Sequence, residues 1–149
     1  VMSRASAEFF QKLSAKARKS PVRHTMNTES TRSRGNDGED FAADYYEKNG
    51  YRLLCRNFKG SHGEIDIIAE KDAYIVFAEV KLRAVLSQKP AEAVDSQKML
   101  HIVNTANEFL CEYKDNTYIA SLKTRFDIFE ILAFDGKPKS YQLIENVTA

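Results

Sequence analysis

Residues 64–70 read Glu-Ile-Asp-Ile-Ile-Ala-Glu, and residues 74–81 read Tyr-Ile-Val-Phe-Ala-Glu-Val-Lys. Both runs are dense in β-prone residues, and only Lys71-Asp72-Ala73 lies between them, so they are predicted to form a tight antiparallel hairpin. With Asp72 and Ala73 as a two-residue turn, Asp66 falls opposite Glu79 and Glu64 opposite Lys81. Alternation puts Glu64 and Asp66 on one face of their strand, and Glu79 and Lys81 on one face of theirs. Opposed residues of an antiparallel pair share a face, so three carboxylates and one ammonium converge on a small patch. A slip of one residue would scatter them. Ile65, Ile67, Val76, Ala78 and Val80 supply the apolar opposite face.

The rest of the chain builds around this hairpin. Residues 38–49 have helical spacing, with Phe41, Ala42, Tyr45 and Tyr46 as the apolar positions, Asp37 as N-cap and Asn49-Gly50 as the stop. A strand is predicted over 51–58, then a loop over 59–63. After a loop containing Pro90, a helix over 95–113 carries Met99, Ile102, Val103, Ala106, Phe109, Leu110 and Tyr113 on one stripe. Strands follow over 125–133 and 140–144, joined through Asp135-Gly136. The order αβββαββ predicts an α/β fold with a mixed central sheet flanked by helices.

Net charge is +1 over 149 residues, but it is unevenly distributed. Residues 1–34 hold eight basic residues against Glu8 and Glu29, a net of +6, which leaves −5 on the other 115. We read residues 1–34 as a basic N-terminal extension, with a short amphipathic turn around Phe9, Phe10 and Leu13, and residues 35–149 as the folded domain. The extension could be an arm that tracks phosphates, a targeting peptide or a segment without function. Val1 ahead of Met2 fits a non-methionine start or an added residue, and Met26 is a candidate native start. No apolar run is long enough to cross a bilayer, so no membrane partner is expected. Cys55 and Cys111 build neither a disulfide framework nor a four-cysteine zinc site, and are expected to be buried small apolar residues in a cytoplasmic protein. No phosphate-cradling loop or dinucleotide motif occurs, so no small-molecule cofactor is expected. His24, His62 and His101 lack metal-ligand spacing.

Asp66 opposite Glu79 places like charges in contact, and a divalent cation would remove the conflict. Mg²⁺ or Mn²⁺ takes one or two carboxylates with waters, and the Val80 carbonyl would add an oxygen. Lys81 would orient or help deprotonate an attacking water, or stabilise charge developing on a transferring phosphoryl group. That is the chemistry of metal-assisted phosphodiester hydrolysis. The competing reading of Glu64 and Lys81 is a solvated strand face. Arg52, Arg56, Lys59, Arg83 and Lys89 flank the patch as either a basic rim for nucleic acid or ordinary surface, and His62 either reaches a phosphate or is a plain loop histidine. Asp127 is expected to serve the fold, pairing with Arg125 or a nearby base.

Asp66 followed by Glu79-Val80-Lys81 resembles the D…ExK signature of the restriction-endonuclease-like, PD-(D/E)xK, nuclease superfamily. Ile65 stands where the superfamily signature has proline, and Ala78 replaces the commoner valine. Arg56-Asn57-Phe58, Gly63-Glu64-Ile65-Asp66, Phe77 through Arg83, Pro90 through Val94 and Arg125-Phe126-Asp127 resemble the words of the bacterial YraN family, in its order. That family is largely uncharacterised and is similar to archaeal Holliday-junction resolvases in its nuclease-like core. The resemblance covers about residues 35–145. It implies that Asp66 and Glu79 hold the metal, that Lys81 is the catalytic lysine, and that Glu64 is a further acid. It also implies that Glu39 joins the metal site from the first helix, which its stripe with Ala42, Ala43 and Tyr46 permits; the alternative is a first-turn acid favoured by the helix dipole. Lys98 resembles a family lysine that contacts phosphate, or is solvated. The function implied is a metal-dependent endonuclease on DNA, including branched DNA. The competing functions are a non-catalytic nucleic-acid-binding or assembly module and a structural protein whose charged face is an interface. The acidic body argues against tight DNA binding by a lone monomer, which a homodimer or the basic extension would offset.

Overall fold

The computed structural model describes residues 29–84, 96–135 and 137–147, with side chains from residue 38 onward. The expectations for Phe9, Phe10, Leu13, His24, Lys89 and the Pro90 loop lie outside the described residues. The elements are α1 (Glu29–Lys48), β1 (Arg52–Gly60), β2 (Gly63–Lys71), β3 (Tyr74–Ala84), α2 (Ser96–Glu112), α3 (Thr117–Ser121), β4 (Lys123–Phe134) and β5 (Lys137–Ile144). The five strands form one sheet in the order β1-β2-β3-β4-β5. Pairing is antiparallel except between β3 and β4, which are parallel and joined through α2 and α3. The α/β class and mixed sheet are therefore as expected. Among the described residues, no helix is long and apolar enough to cross a membrane.

Two cores cover the two faces of the sheet. Ala42, Ala43 and Tyr46 of α1 pack on Ile67, Ala69, Val76, Ala78, Phe129 and Ile131. Ile102, Ala106 and Phe109 of α2, with Ile119 of α3, pack on Ile65, Ile68, Ile75, Phe77 and Phe126. The central strands are thus buried on both faces, which is why Ile67-Ile68-Ala69 and Ile75-Val76-Phe77-Ala78 are continuous apolar runs. The stripe predicted for α2 is the stripe that packs.

The β2–β3 hairpin has the expected register, from Lys71↔Tyr74 to Ile67↔Ala78. Asp72 and Ala73 have φ of +50° and +67°, the pair of left-handed residues that a type I′ turn requires. At the end of α1, Gly50 has φ of +83° and donates to Glu47 O at 3.0 Å, while Tyr51 N donates to Tyr46 O at 2.9 Å. That is the predicted stop, closed as a Schellman motif.

Four expectations are corrected. The helix begins at Glu29, so Asp37 lies inside it and is not its N-cap; no proline interrupts residues 29–48. A short helix, α3, was not expected; Asn116 caps it, its side chain accepting from Ile119 N at 3.0 Å. Cys111 is exposed and Cys55 only partly buried, because Cys111 falls off the apolar stripe of α2. Ile65 and Ile67 do not share a face: Ile65 joins the α2-side core and Ile67 the α1-side core.

Candidate functional site

The reversal between Ile65 and Ile67 is what positions Asp66. On β1, Arg56 pairs with Ile67 and Phe58 with Ile65, and the residue between them, Asn57, has φ of +52°. Asparagine tolerates the left-handed region better than most residues. Phe58 packs with the α2-side core, whereas Arg56 reaches Asp40 on α1. Both strands therefore turn over together at Asn57 and Asp66.

The sheet forks at the same level. Pairing between β2 and β3 ends at Ile67↔Ala78, whereas β3 continues beside β4 as far as Ala84↔Ala133. Asp66 sits in the fork and accepts a hydrogen bond from Val80 N at 2.7 Å. Asp66 and Glu79 are thus neighbours across an opened ladder and do not form a ladder pair. Burial first, and then the charge of Glu79, push the Asp66 carboxyl up to about 7, against the pull of the Val80 N–H. Glu39 and Glu64 push in the same direction.

The acids arrive from both faces. Val76, Ala78, Val80 and Leu82 point to the α1 side, so Glu79 and Lys81 alternate to the α2 side. There Glu79 Oε1 lies 3.0 Å from Lys98 Nζ, in the first turn of α2. Glu39 comes from α1. Its carboxyl is raised by burial, against the Asn57 side chain and the Arg56 charge, and its Oε2 is buried without a hydrogen bond. Glu64, placed opposite Lys81 by the extrapolated register, is exposed beside Lys59 instead, its Oε2 3.9 Å from Lys59 Nζ. The turnover at Asp66 sets it beside Lys59, still near enough to Asp66 and Glu39 for its charge to raise both carboxyls.

The expected nucleic-acid contacts are each engaged by an acid. Arg56 holds Asp40 at 2.6 Å, and Arg83 holds Glu130 at 2.8 Å. Lys59 faces Glu64, and Lys98 holds Glu79. His62 turns to Glu108 of α2 at 2.6 Å. The Lys81 side chain, by contrast, has no hydrogen-bond or ion-pair partner among the described residues, although its backbone pairs with Glu130 in the β3–β4 ladder. Asn57 enters the sequence reading only within the word Arg56-Asn57-Phe58, with no role of its own, and Glu108 does not enter it.

Among the described residues, no three His, Cys, Asp or Glu side chains already stand together as a metal-binding group. The donor set is nonetheless of the hard-cation kind: two neighbouring carboxylates at a fork, and a buried carboxylate oxygen on Glu39 lacking a donor. Mg²⁺ needs only one or two protein carboxylates, with waters filling the octahedron. The residues fit that ion, and lack the sulfur and imidazole ligands of a zinc site. Asp127, in contrast, serves the fold: it is buried and bonded by Arg125, Tyr46 and Asn146 N.

Residues 38–131 match the model of the family described as "Uncharacterised protein family UPF0102". A UPF0102 protein of Prosthecochloris aestuarii is 43% identical over 119 residues, covering 76% of this chain and 89% of the relative. One from Caldicellulosiruptor bescii is 43% identical over 105 residues, 69% and 84% of the two chains, and one from Clostridium perfringens is 46% identical over 95 residues, 63% and 75%. The matched span runs from the Gly38-Glu39 turn of α1 through the fork to β4, and on that ground the chain belongs to the YraN-like uncharacterised protein family UPF0102.

Proposed function

We propose that this chain is a divalent-metal-dependent endonuclease that hydrolyses phosphodiester bonds in DNA, including branched or structured DNA. The observation that carries the reading is Asp66 in the sheet fork, beside Glu79 and bonded to Val80 N. A like-charge pair in a half-buried setting is destabilising without a counter-cation. Asp66, Glu79 and the Val80 carbonyl would hold Mg²⁺ or Mn²⁺, with Glu39 as a further acid. The ion would supply charge neutralisation and Lewis acidity at the scissile phosphate.

The chain's own residues divide the remaining work. Val80 N–H fixes the rotamer of Asp66. Lys81, on the same side of β3 as Glu79, would place its ammonium against the phosphoryl oxygens or orient the attacking water. Lys98 would stand at the edge of the site, where a phosphate passes. The resemblance of the D…ExK words to restriction-endonuclease-like nucleases supports the same assignment. The competing reading is a non-catalytic nucleic-acid-binding module on this fold. What favours it is the engagement of Glu79 by Lys98.

The test is cleavage of labelled duplex, single-stranded, flapped and four-way-junction DNA with Mg²⁺ or Mn²⁺, beside Glu79→Ala and Lys81→Ala. Cutting that both substitutions abolish is the expected result. Salt-sensitive binding without cutting would favour the binding module.

A further inference from the structure

Three acids of the fork each face a cation from their own surroundings. Glu39 lies 3.9 Å from Arg56, Glu64 lies 3.9 Å from Lys59, and Glu79 lies 3.0 Å from Lys98. Only the last is a close pair, and its two ends differ in character. The Glu79 side chain is 12% exposed and fixed on a central strand, whereas the Lys98 side chain is 47% exposed on a long flexible stem. The acid cannot move far, but the ammonium can.

We propose that Lys98 is a built-in exchangeable counter-ion of Glu79, occupying the carboxylate until a divalent cation displaces it. The inference rests on the metal-centre reading above and adds its regulation. A doubly charged ion drawn to Glu79 competes with Lys98 for the same oxygens, and the two cations repel at close range. Lys98 must then leave its bond. Its exposure leaves it a path into solvent, towards whatever anion the metal recruits. The pair therefore keeps Glu79 from standing as an uncompensated half-buried charge, and it sets a threshold on metal binding.

The proposal is tested by calorimetric titration of Mn²⁺ into the full-length chain at low ionic strength, without DNA. Lys98→Ala is expected to bind Mn²⁺ about threefold to tenfold more tightly than wild type, the range set by loss of a partly exposed ion pair and of a nearby repelling charge. Lys98→Arg keeps a cation and is expected to stay within about twofold of wild type. Lys59→Ala removes an equal charge from beside the exposed Glu64, and should also shift affinity less than about twofold. Glu79→Gln should weaken binding in either background.

Unchanged or weaker binding in Lys98→Ala, with wild type binding normally, overturns the exchange and leaves the metal-centre reading standing. Equal tightening by Lys59→Ala reduces the effect to net charge and also overturns it. Absence of binding in both wild type and Lys98→Ala overturns both readings. Binding that appears only in Lys98→Ala is the strongest support.

Discussion

Val80 donates its backbone N–H to Oδ2 of Asp66 at 2.7 Å, across the point where β2 and β3 part. In a continued ladder that N–H would find a carbonyl of β2. Here the carboxylate takes the carbonyl's place, so one side chain both closes the end of the hairpin and faces Glu79.

Asp66→Ala should therefore destabilise the protein by about 1–3 kcal/mol in urea denaturation, because it leaves a partly buried N–H without a partner. Asp66→Asn retains an acceptor for Val80 and removes the repulsion with Glu79. It should fall within about 1 kcal/mol of wild type, or be more stable, when no metal is added. Adding millimolar Mg²⁺ or Mn²⁺ should raise the melting temperature of wild type and not of Asp66→Asn. A shift of equal size in both would remove Asp66 from the metal centre.

The same carboxyl sets a pH dependence. Burial and Glu79 raise it from 3.8 to about 7, so between those values the folded chain holds a proton that the unfolded chain has lost. Its stabilising contribution is full below about pH 4, falls as pH rises towards 7, and is flat above that. Metal-free denaturation of wild type minus Asp66→Asn, followed across that window, should show this downward slope. A difference that stays flat across that window would mean the carboxyl is ionised throughout.

The hairpin register was legible because a two-residue loop fixes pairing arithmetic, and the α2 stripe because one-sided packing imposes its period. The fork was not. Period-two alternation assumes that every strand residue is extended, and Asn57 at positive φ breaks that assumption for β1 and, through pairing, for β2. Ile65 therefore lies on the face opposite to the expected one and Glu64 beside Lys59 in place of Lys81, while Asp66, at the pivot, keeps its place beside Glu79. The acid partners of Arg56, Arg83 and Lys98 come from distant parts of the chain, and nothing in local spacing announces them. Asp127 was legible as a fold residue from Arg125-Phe126-Asp127, where strand alternation puts the two charges on one face.

That buried pair gives the third prediction. Asp127 accepts from Tyr46 Oη at 3.0 Å, from Arg125 Nη2 at 2.8 Å and from Asn146 N at 3.1 Å. Tyr46→Phe removes one of these bonds and should reduce stability by about 0.5–1.5 kcal/mol. Asp127→Ala strands a partly buried guanidinium and should reduce it by about 3–5 kcal/mol. Equal losses for the two variants, measured by chemical denaturation, would show that Arg125 finds another anion.

The β1–β2 turn is latched to α2 by one carboxylate. Glu108 accepts from Ser61 N and Ser61 Oγ, both at 2.9 Å, and His62 Nδ1 lies 2.6 Å from it. The backbone and side-chain bonds of Ser61, with His62, hold the Glu108 carboxyl down at about 2. A depressed acid contributes stability above its unfolded value of 4.5 and loses it as pH falls towards 2. Wild type should therefore lose melting temperature on acidification more steeply than Glu108→Gln does. Gly60 belongs to the same latch, since a Cβ there would lie 2.8 Å from Glu108 Oε2. Gly60→Ala must push the carboxylate aside, so it should lower the melting temperature clearly in wild type and much less in a Glu108→Ala background. Additive losses in the double variant would mean that the turn holds its shape without Glu108, and that Gly60 is restricted by something other than the carboxylate it faces.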